Sequence, residues 1–471
     1  MHTTSPLEVL SERFAGELIM PGDPGYDVSR RVFNAMVDRR PALIARCATT
    51  ADVAAAVLFA RDTGLVVAVR SGGHSVTGLG VCDGGIVIDL SGLKTIEVDA
   101  AARRAKVGGG VLWGELDAAT QQHGLHTPGG RVTTTGVGGF TTGGGYGWTS
   151  SRYGLACDNV VSAEVVLADG SVVTASEDEN ADLLWGIRGG GGNFGIVTEF
   201  EFRLHELGPI VLAGLALWPL DRAAEVMRAW RDYADAAPDE VSTACLLITA
   251  PPEDFVPASL RGLPALGVAV VYVGDPEEGV AAVQPLRDLQ PELDRVGPIP
   301  YTAFQAMIDP AAPPGLRSYW RGEYLESLTD GAIETFLRDG VALVEASPPL
   351  TQAVVFRIGQ AINAVPESAA AFSQRDANYL FHPIAVWQDA DDDARMIEGG
   401  RAFAETMRRF ATGGAYLNFT PEADRVRDGY GARTYERLVA LKETYDPENL
   451  FRLNQNIEPS RGSTTPIAWD R

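Results

Sequence analysis

The chain is short of the residues that build metal centres and disulfide frameworks. Its 471 residues include only four cysteines and six histidines. Cys47, Cys82, Cys157 and Cys245 are scattered without a C-x-x-C pair, which argues against zinc and against disulfide stapling. No metal is expected, and a reducing cytoplasm is the expected location. No run of about 18 apolar residues occurs, so no membrane span is expected. The start, "MHTTSPLEVLSERFAGELIM", carries early acids and no apolar core behind a basic end, unlike a secretory signal. Positive charge is scarce too. With 39 Lys and Arg against 62 Asp and Glu, the net charge of −23 disfavours nucleic acid or an anionic membrane as partner. No G-x-x-x-x-G-K followed by Ser or Thr, no H-E-x-x-H and no G-x-S-x-G is present, which removes P-loop, zincin and nucleophile-elbow chemistry.

Glycine is what the chain has in excess. Its 52 glycines cluster at 71–85, 108–114, 129–147 and 189–195. Glycine is costly inside regular elements, so clustering on this scale points to close backbone approach, with a pyrophosphate-bearing ligand as the leading occupant. The length and the 45% hydrophobic content suit two or three domains with a large core.

Periodicity predicts helices over 24–35 and 51–63, strands at 65–70 and 84–90, and two strands around a turn in "KTIEVDAAARRAKVGGG". A helix follows in "VLWGELDAATQQHG". "VVSAEVVLADGSVVTAS" reads as a hairpin turning at Asp169-Gly170, and 195–204 as a strand. From about residue 206 the glycines thin out. "VLAGLALWPL", "STACLLITA", "ALGVAVVYVG", "TQAVVFRIGQAI" and "YLFHPIAVW" read as five strands of one sheet. Helices at 221–236, 276–288 and 391–411 lie between them, and 250–264 is a Pro-rich loop. The tail is a helix followed by "YDPENLFRLNQNI", whose asparagines suggest a return to a polar ligand.

"GGGGNFG" at 189–195 matches G-x-G-x-x-G as a pattern only. It precedes a strand instead of opening a helix, so a Rossmann site is rejected. In "RSGGHSVTG", a single imidazole, His74, sits among glycines. Taken alone it could be a turn histidine satisfied by backbone bonds. "TTTGVGGFTTGGGYGWTSSRYGLACDN" interleaves Tyr146, Trp148 and Tyr153 with glycine, which suits a packed segment better than a mobile loop.

These motifs together, with "WGIRGGGGNFGIVT", "YLNF" and the tail, resemble the berberine bridge enzyme-like flavin oxidases of the vanillyl-alcohol oxidase and p-cresol methylhydroxylase superfamily. The resemblance runs in order through nearly the whole chain. It implies an α+β fold: a two-subdomain FAD-binding domain of the PCMH type over 1–205, an inserted substrate domain with a large antiparallel sheet flanked by helices over 206–424, and a segment, 425–471, returning to the first domain. It also implies FAD contacts from Arg70, Ser71, Gly72, Gly73, His74 and Ser75, with a covalent bond from His74 to the flavin. Further contacts are implied for Thr134, Thr135, Gly136, Val137, Gly138, Gly139, Gly143, Gly144, Gly145 and Tyr146. Gly195, Ile196 and Val197 would lie towards the adenine, and Asn454 and Asn456 would reach the ring. The position of a second, cysteinyl tether in many members is occupied here by Val132, so a single histidyl attachment is expected, and Cys157 is expected to be a buried structural thiol.

The same resemblance implies alcohol or amine oxidation by hydride transfer, with Tyr416 of a Y-x-N motif as base beside Asn418. Packing at a strand end is the alternative role for Tyr416, and Tyr146 is the second catalytic candidate. A free tyrosine has a pKa of about 10, so a base role needs help; Arg317, Arg321 and Arg357 are the candidates for it. Thr135 would lie where oxygen approaches, favouring an oxidase that makes hydrogen peroxide. The expected substrate is a small metabolite or natural-product intermediate, and the expected state a monomer or homodimer. A dehydrogenase with another acceptor, an oligosaccharide oxidase, a silent flavoprotein and a nicotinamide-dependent reductase are the rival readings.

Overall fold

In the computed structural model, residues 5–460 are described; the ends of the expected first and last segments, 1–4 and 461–471, lie outside them. The first half builds two sheets. In one, Val67–Arg70, Ile86–Asp89 and Leu43–Arg46 run parallel, with Glu17–Ile19 added antiparallel at the edge. These strands are near-continuous apolar runs because they are covered on both sides, one side by the helix Thr50–Thr63. That helix starts at a Thr49 capping box with Asp52 and stops at Gly64, which takes the left-handed conformation. The other sheet is antiparallel, in the order Ile96–Asp99, Arg104–Gly108, Ile196–Arg203, Val160–Val166, Val172–Ala175. Its hairpin turns through Gly170 at φ +81°, as the Asp-Gly pair predicts.

The second half supplies a ten-stranded antiparallel sheet. The five apolar runs read from the sequence are adjacent in it, in the order Ile210–Pro219, Pro264–Tyr272, Val241–Thr249, Gln352–Arg357, Tyr379–Trp387. One face packs on the helices Ala223–Ala236, Asp330–Ala346 and Asp393–Arg408. The other meets the glycine-rich segment through Tyr146, Trp148 and Tyr416. The period of two shows in one strand: Tyr379, Phe381, Ala385 and Trp387 enter the helix-side core, while His382, Ile384 and Val386 face a cavity.

The tail closes the structure back on the first half. After the helix Ala432–Tyr445, buried Lys442 donates to Asp446 at 2.7 Å and to the carbonyls of Asn193 and Phe451 at 2.9 Å. Asn193 also bonds the backbone of Gln455 and Ile457.

Two expected helices differ. Over 24–35, only Tyr26–Ser29 is helical. Beyond it the chain has tertiary bonds to make: Phe33 N–H donates to the Gly73 carbonyl, and the Asn34 amide bridges the carbonyls of Val76 and Ser318. Local periodicity loses to those contacts. The helix expected over 391–411 ends at Arg408, and Ala411–Ala415 becomes a strand paired with Glu323–Leu325.

Candidate active site

The parallel strand Val67–Arg70 ends where Arg70 sits opposite Asp89, and the two side chains form a buried ion pair at 2.7 Å. The loop 71–77 leaves the carboxyl end of that sheet, where open α/β sheets bind ligands. Among the described residues, the backbone N–H groups of Gly72, Gly73, His74, Ser75 and Val76 make no bond within the protein. A row of free N–H donors on a loop is the donor set that a pyrophosphate needs.

The loop opens on a cavity of about 390 Å³, within the range for a small-molecule site. All three regions of the chain line it: 67–80, 130–146 and 191–197 from the first half, 308–420 from the large sheet and its loops, and 430–455 from the tail. The glycines serve two purposes here. A Cβ on Gly72 would lie 2.2 Å from Gly136 N, so this pair lets two loops touch backbone to backbone. A Cβ on Gly139 or Gly192 would meet nothing within 4 Å, although both line the cavity.

His74 is held on two sides. Its ring stacks on Phe33 with centroids 4.2 Å apart, and Nε2 lies 2.9 Å from Thr134 Oγ1. Nδ1 has no partner among the described residues. Burial pushes the imidazole down to about 4, outweighing the upward pull of Asp309, so the ring is neutral at pH 7 and keeps a nucleophilic lone pair.

Of the sequence-derived set, the cavity wall contains Arg70, Ser71, Gly72, Gly73, His74, Ser75, Thr135, Gly136, Gly138, Gly139, Gly143, Tyr146, Gly195, Ile196, Val197, Asn418 and Asn454. Six others are placed differently. Thr134 acts through His74. Val137 is wholly buried in the core. Gly144 packs on Phe372, and Gly145 gives its N–H to Tyr416. Asn456 and Tyr416 are not on the wall.

The two catalytic candidates have partners within the protein. The Tyr416 oxygen accepts from the backbone N–H groups of Gly145 and Tyr146, at 3.2 and 3.1 Å, and from Asn418 Nδ2 at 3.2 Å. Burial raises its pKa despite these donors, so it keeps its proton at neutral pH. Its oxygen ties down the glycine turn. Tyr146 faces the cavity with its ring, but its hydroxyl donates to the Arg357 carbonyl at 2.9 Å. The three arginines expected to help are engaged elsewhere: Arg317 with Asp393, Arg321 with Glu323, and Arg357 with the carbonyls of Ala234 and Asn378. Cys157 is buried, and burial raises its thiol well above the usual value, as expected of a structural cysteine.

Sequence reasoning missed Phe33, Arg131, Trp320, Phe356, His382 and Phe419, all on the wall. Two carried a signal. Arg131 is the only charged residue between Asp117 and Arg152, and His382 interrupts an apolar strand. The His382 Nδ1 lies 2.8 Å from the Arg321 carbonyl, which places the ring hydrogen on Nδ1 and leaves Nε2 as an acceptor. Its ring stacks on Phe419 at 3.9 Å, and burial pushes its pKa down to about 3.

Comparison with known proteins decides the family. A family model described as an FAD binding domain matches residues 41–176, and one described as berberine and berberine like matches 415–458. The chain is 31% identical to an (R)-6-hydroxynicotine oxidase of Paenarthrobacter nicotinovorans, over 94% of this chain and 97% of that protein. The chain belongs to the berberine bridge enzyme-like FAD-linked oxidases. A xylooligosaccharide oxidase of Thermothelomyces thermophilus is 30% identical, over 91% of this chain and 89% of the relative. The crystal structure of 6-hydroxy-D-nicotine oxidase from Arthrobacter nicotinovorans superposes with a TM-score of 0.84 at 29% identity, covering 94% of this chain and 98% of the other.

The protein is therefore an FAD oxidoreductase of this α+β fold. Its residues fit the cofactor. The free N–H row and the open faces of Gly139 and Gly192 leave room and donors for the phosphates. The buried Asn454 Oδ1 is without a partner among the described residues at the cavity edge.

Proposed function

We propose that this protein oxidises an alcohol of a small metabolite or natural-product intermediate, with its FAD attached through His74 alone and molecular oxygen as the acceptor. The observation that carries the single histidyl attachment is the state of His74. It is a neutral imidazole on the cavity wall, fixed by Phe33 and Thr134, with Nδ1 uncommitted among the described residues. A nucleophilic ring nitrogen needs all three conditions.

Val132 lines the cavity where a second tether would come from, and none of the four cysteines does. FAD bound here supplies a two-electron acceptor that oxygen can regenerate, giving hydrogen peroxide. The chain's own contribution is to orient and enclose. Phe33, Trp320, Phe356, Ile384 and Phe419 present apolar surface and exclude water. His382 Nε2 accepts the hydrogen bond of the substrate hydroxyl and fixes its direction; pushed down to about 3, it passes the hydroxyl proton on instead of keeping it, and that proton ends in the hydrogen peroxide. A wall this apolar supports a small-metabolite substrate over an oligosaccharide.

Acid precipitation of the purified protein tests the tether. A yellow pellet is expected for the wild type and a colourless pellet with yellow supernatant for His74→Ala. A colourless wild-type pellet overturns the assignment. Anaerobic reduction by substrate, followed by slow recovery of the oxidised spectrum in air, would overturn the choice of oxygen.

A further inference from the structure

Two guanidinium groups line the cavity, and their surroundings differ. Arg70 has its carboxylate in Asp89. Arg131 has none among the described residues. Its hydrogen bonds go to the backbone carbonyls of Tyr146 and Gly147, at 3.3 and 3.4 Å, beyond the usual range for a strong bond. Its Nε is buried without a partner. Three aromatic rings surround it instead, with Tyr146, Trp148 and Phe356 centroids 4.2, 4.7 and 4.1 Å from Cζ. Ring faces hold a cation in place, but they do not neutralise it or fill its N–H groups.

The rest of the protein wall offers no counter-charge, and the phosphates of the cofactor would be taken by the N–H row of the loop 71–77. In a chain of net charge −23, no Asp or Glu is among the lining residues. Asp309, which faces His74, has its oxygens on the Thr133 N–H and hydroxyl. A buried cation with open donors is costly unless an anion completes it, and one placed on a cavity wall is completed by what enters the cavity.

We infer that Arg131 reads an anionic oxygen on the substrate. The alcohol oxidised here then carries a carboxylate, or an acidic phenol or enol, on an apolar frame, and cationic amines are rejected. This rests on the flavin-oxidase reading above and narrows its substrate class. Trp320, Phe356 and Phe419 provide for the frame, and Arg131 provides for the charge.

The test uses the holoprotein and three probes of similar shape: naphthoate, its methyl ester and naphthylmethylamine. Binding is followed by the perturbation of the flavin absorbance. Naphthoate is expected to bind more tightly than the ester, with the amine weakest. Arg131→Gln is expected to weaken naphthoate roughly 10- to 100-fold and leave the ester within about two-fold. Arg131→Lys, which keeps the charge and guards against a folding defect, is expected to retain part of the preference for the anion. No binding of naphthoate, equal binding of acid and ester, or an equal loss for all three probes in Arg131→Gln overturns the inference. Failure of the underlying function reads separately: no alcohol would reduce the flavin, whether or not the charge preference is present.

Discussion

Removing one oxygen atom, in Tyr416→Phe, separates a scaffold from a base. That oxygen receives two buried backbone N–H groups, from Gly145 and Tyr146, as well as the Asn418 amide. The turn it holds is unusual, with Gly144 at φ +108° and Gly145 at φ +87°. Asn418 keeps its second bond, to the Phe140 carbonyl, when the oxygen goes. The two backbone donors have no replacement, since Phe offers no acceptor and the site is buried. Each unsatisfied buried donor costs about 1–3 kcal/mol, so the variant should lose about 2–6 kcal/mol. Total stabilities are about 5–15 kcal/mol, so the effect is large. The assay is equilibrium urea unfolding of the flavin-loaded protein, read by far-ultraviolet circular dichroism and flavin fluorescence, with turnover measured in parallel. The expected result is a lower midpoint with an unchanged slope. A stability change below about 0.5 kcal/mol, with turnover lost, would refute the scaffold reasoning and return Tyr416 to the chemistry.

Three other perturbations follow from the same geometry. In Gly143→Ala the new Cβ would lie 2.0 Å from Asn418 Oδ1, and Asn418 is already tied to Phe140 and Tyr416; a loss of about 1–3 kcal/mol in the unfolding free energy is expected, and a neutral result would mean that Asn418 moves freely. Burial pushes Asp117 up to about 7 from 3.8, with the Gln305 amide pulling it weakly down. A raised folded-state pKa means stability that is full at low pH and lost as pH rises towards 7, by roughly 4 kcal/mol in all. Asp117→Asn removes that titration, so its stability relative to wild type should climb from about pH 4 to about pH 7 and stay level above; a constant difference across the range contradicts the shift. Lys442→Met leaves Asp446 buried without its cation, so the tail should loosen by about 3–5 kcal/mol, seen as faster amide exchange over 446–457; unchanged exchange would show that the tail is held by its apolar contacts alone.

The legibility of this site divides along one physical line. What depends on backbone was readable: glycine clusters announced the loop around His74 and the 134–146 segment, because glycine is tolerated at such density only where chains or ligands approach closely. The five apolar strands were readable for the same reason, since a period of two is a local property. The substrate wall depends on which strand lies beside which, and no local pattern carries that. The sequence period puts Phe33 in a helix, yet its chain is drawn out straight by bonds to Gly73, Val76 and Ser318 that join positions up to 284 residues apart. Arg317, Arg321 and Arg357 looked as eligible as Arg131 on charge alone, and only the fold shows that each of the three already has partners. Arg131 could still have been picked out by an argument from solvation. A lone charge in a stretch of glycine, threonine and aromatic residues has no carboxylate within its own segment, so where the fold takes it out of water its partner comes from a distant element or from a ligand. The fold brings it Tyr146, Trp148 and Phe356, none of which carries a negative charge at neutral pH, and that leaves the ligand.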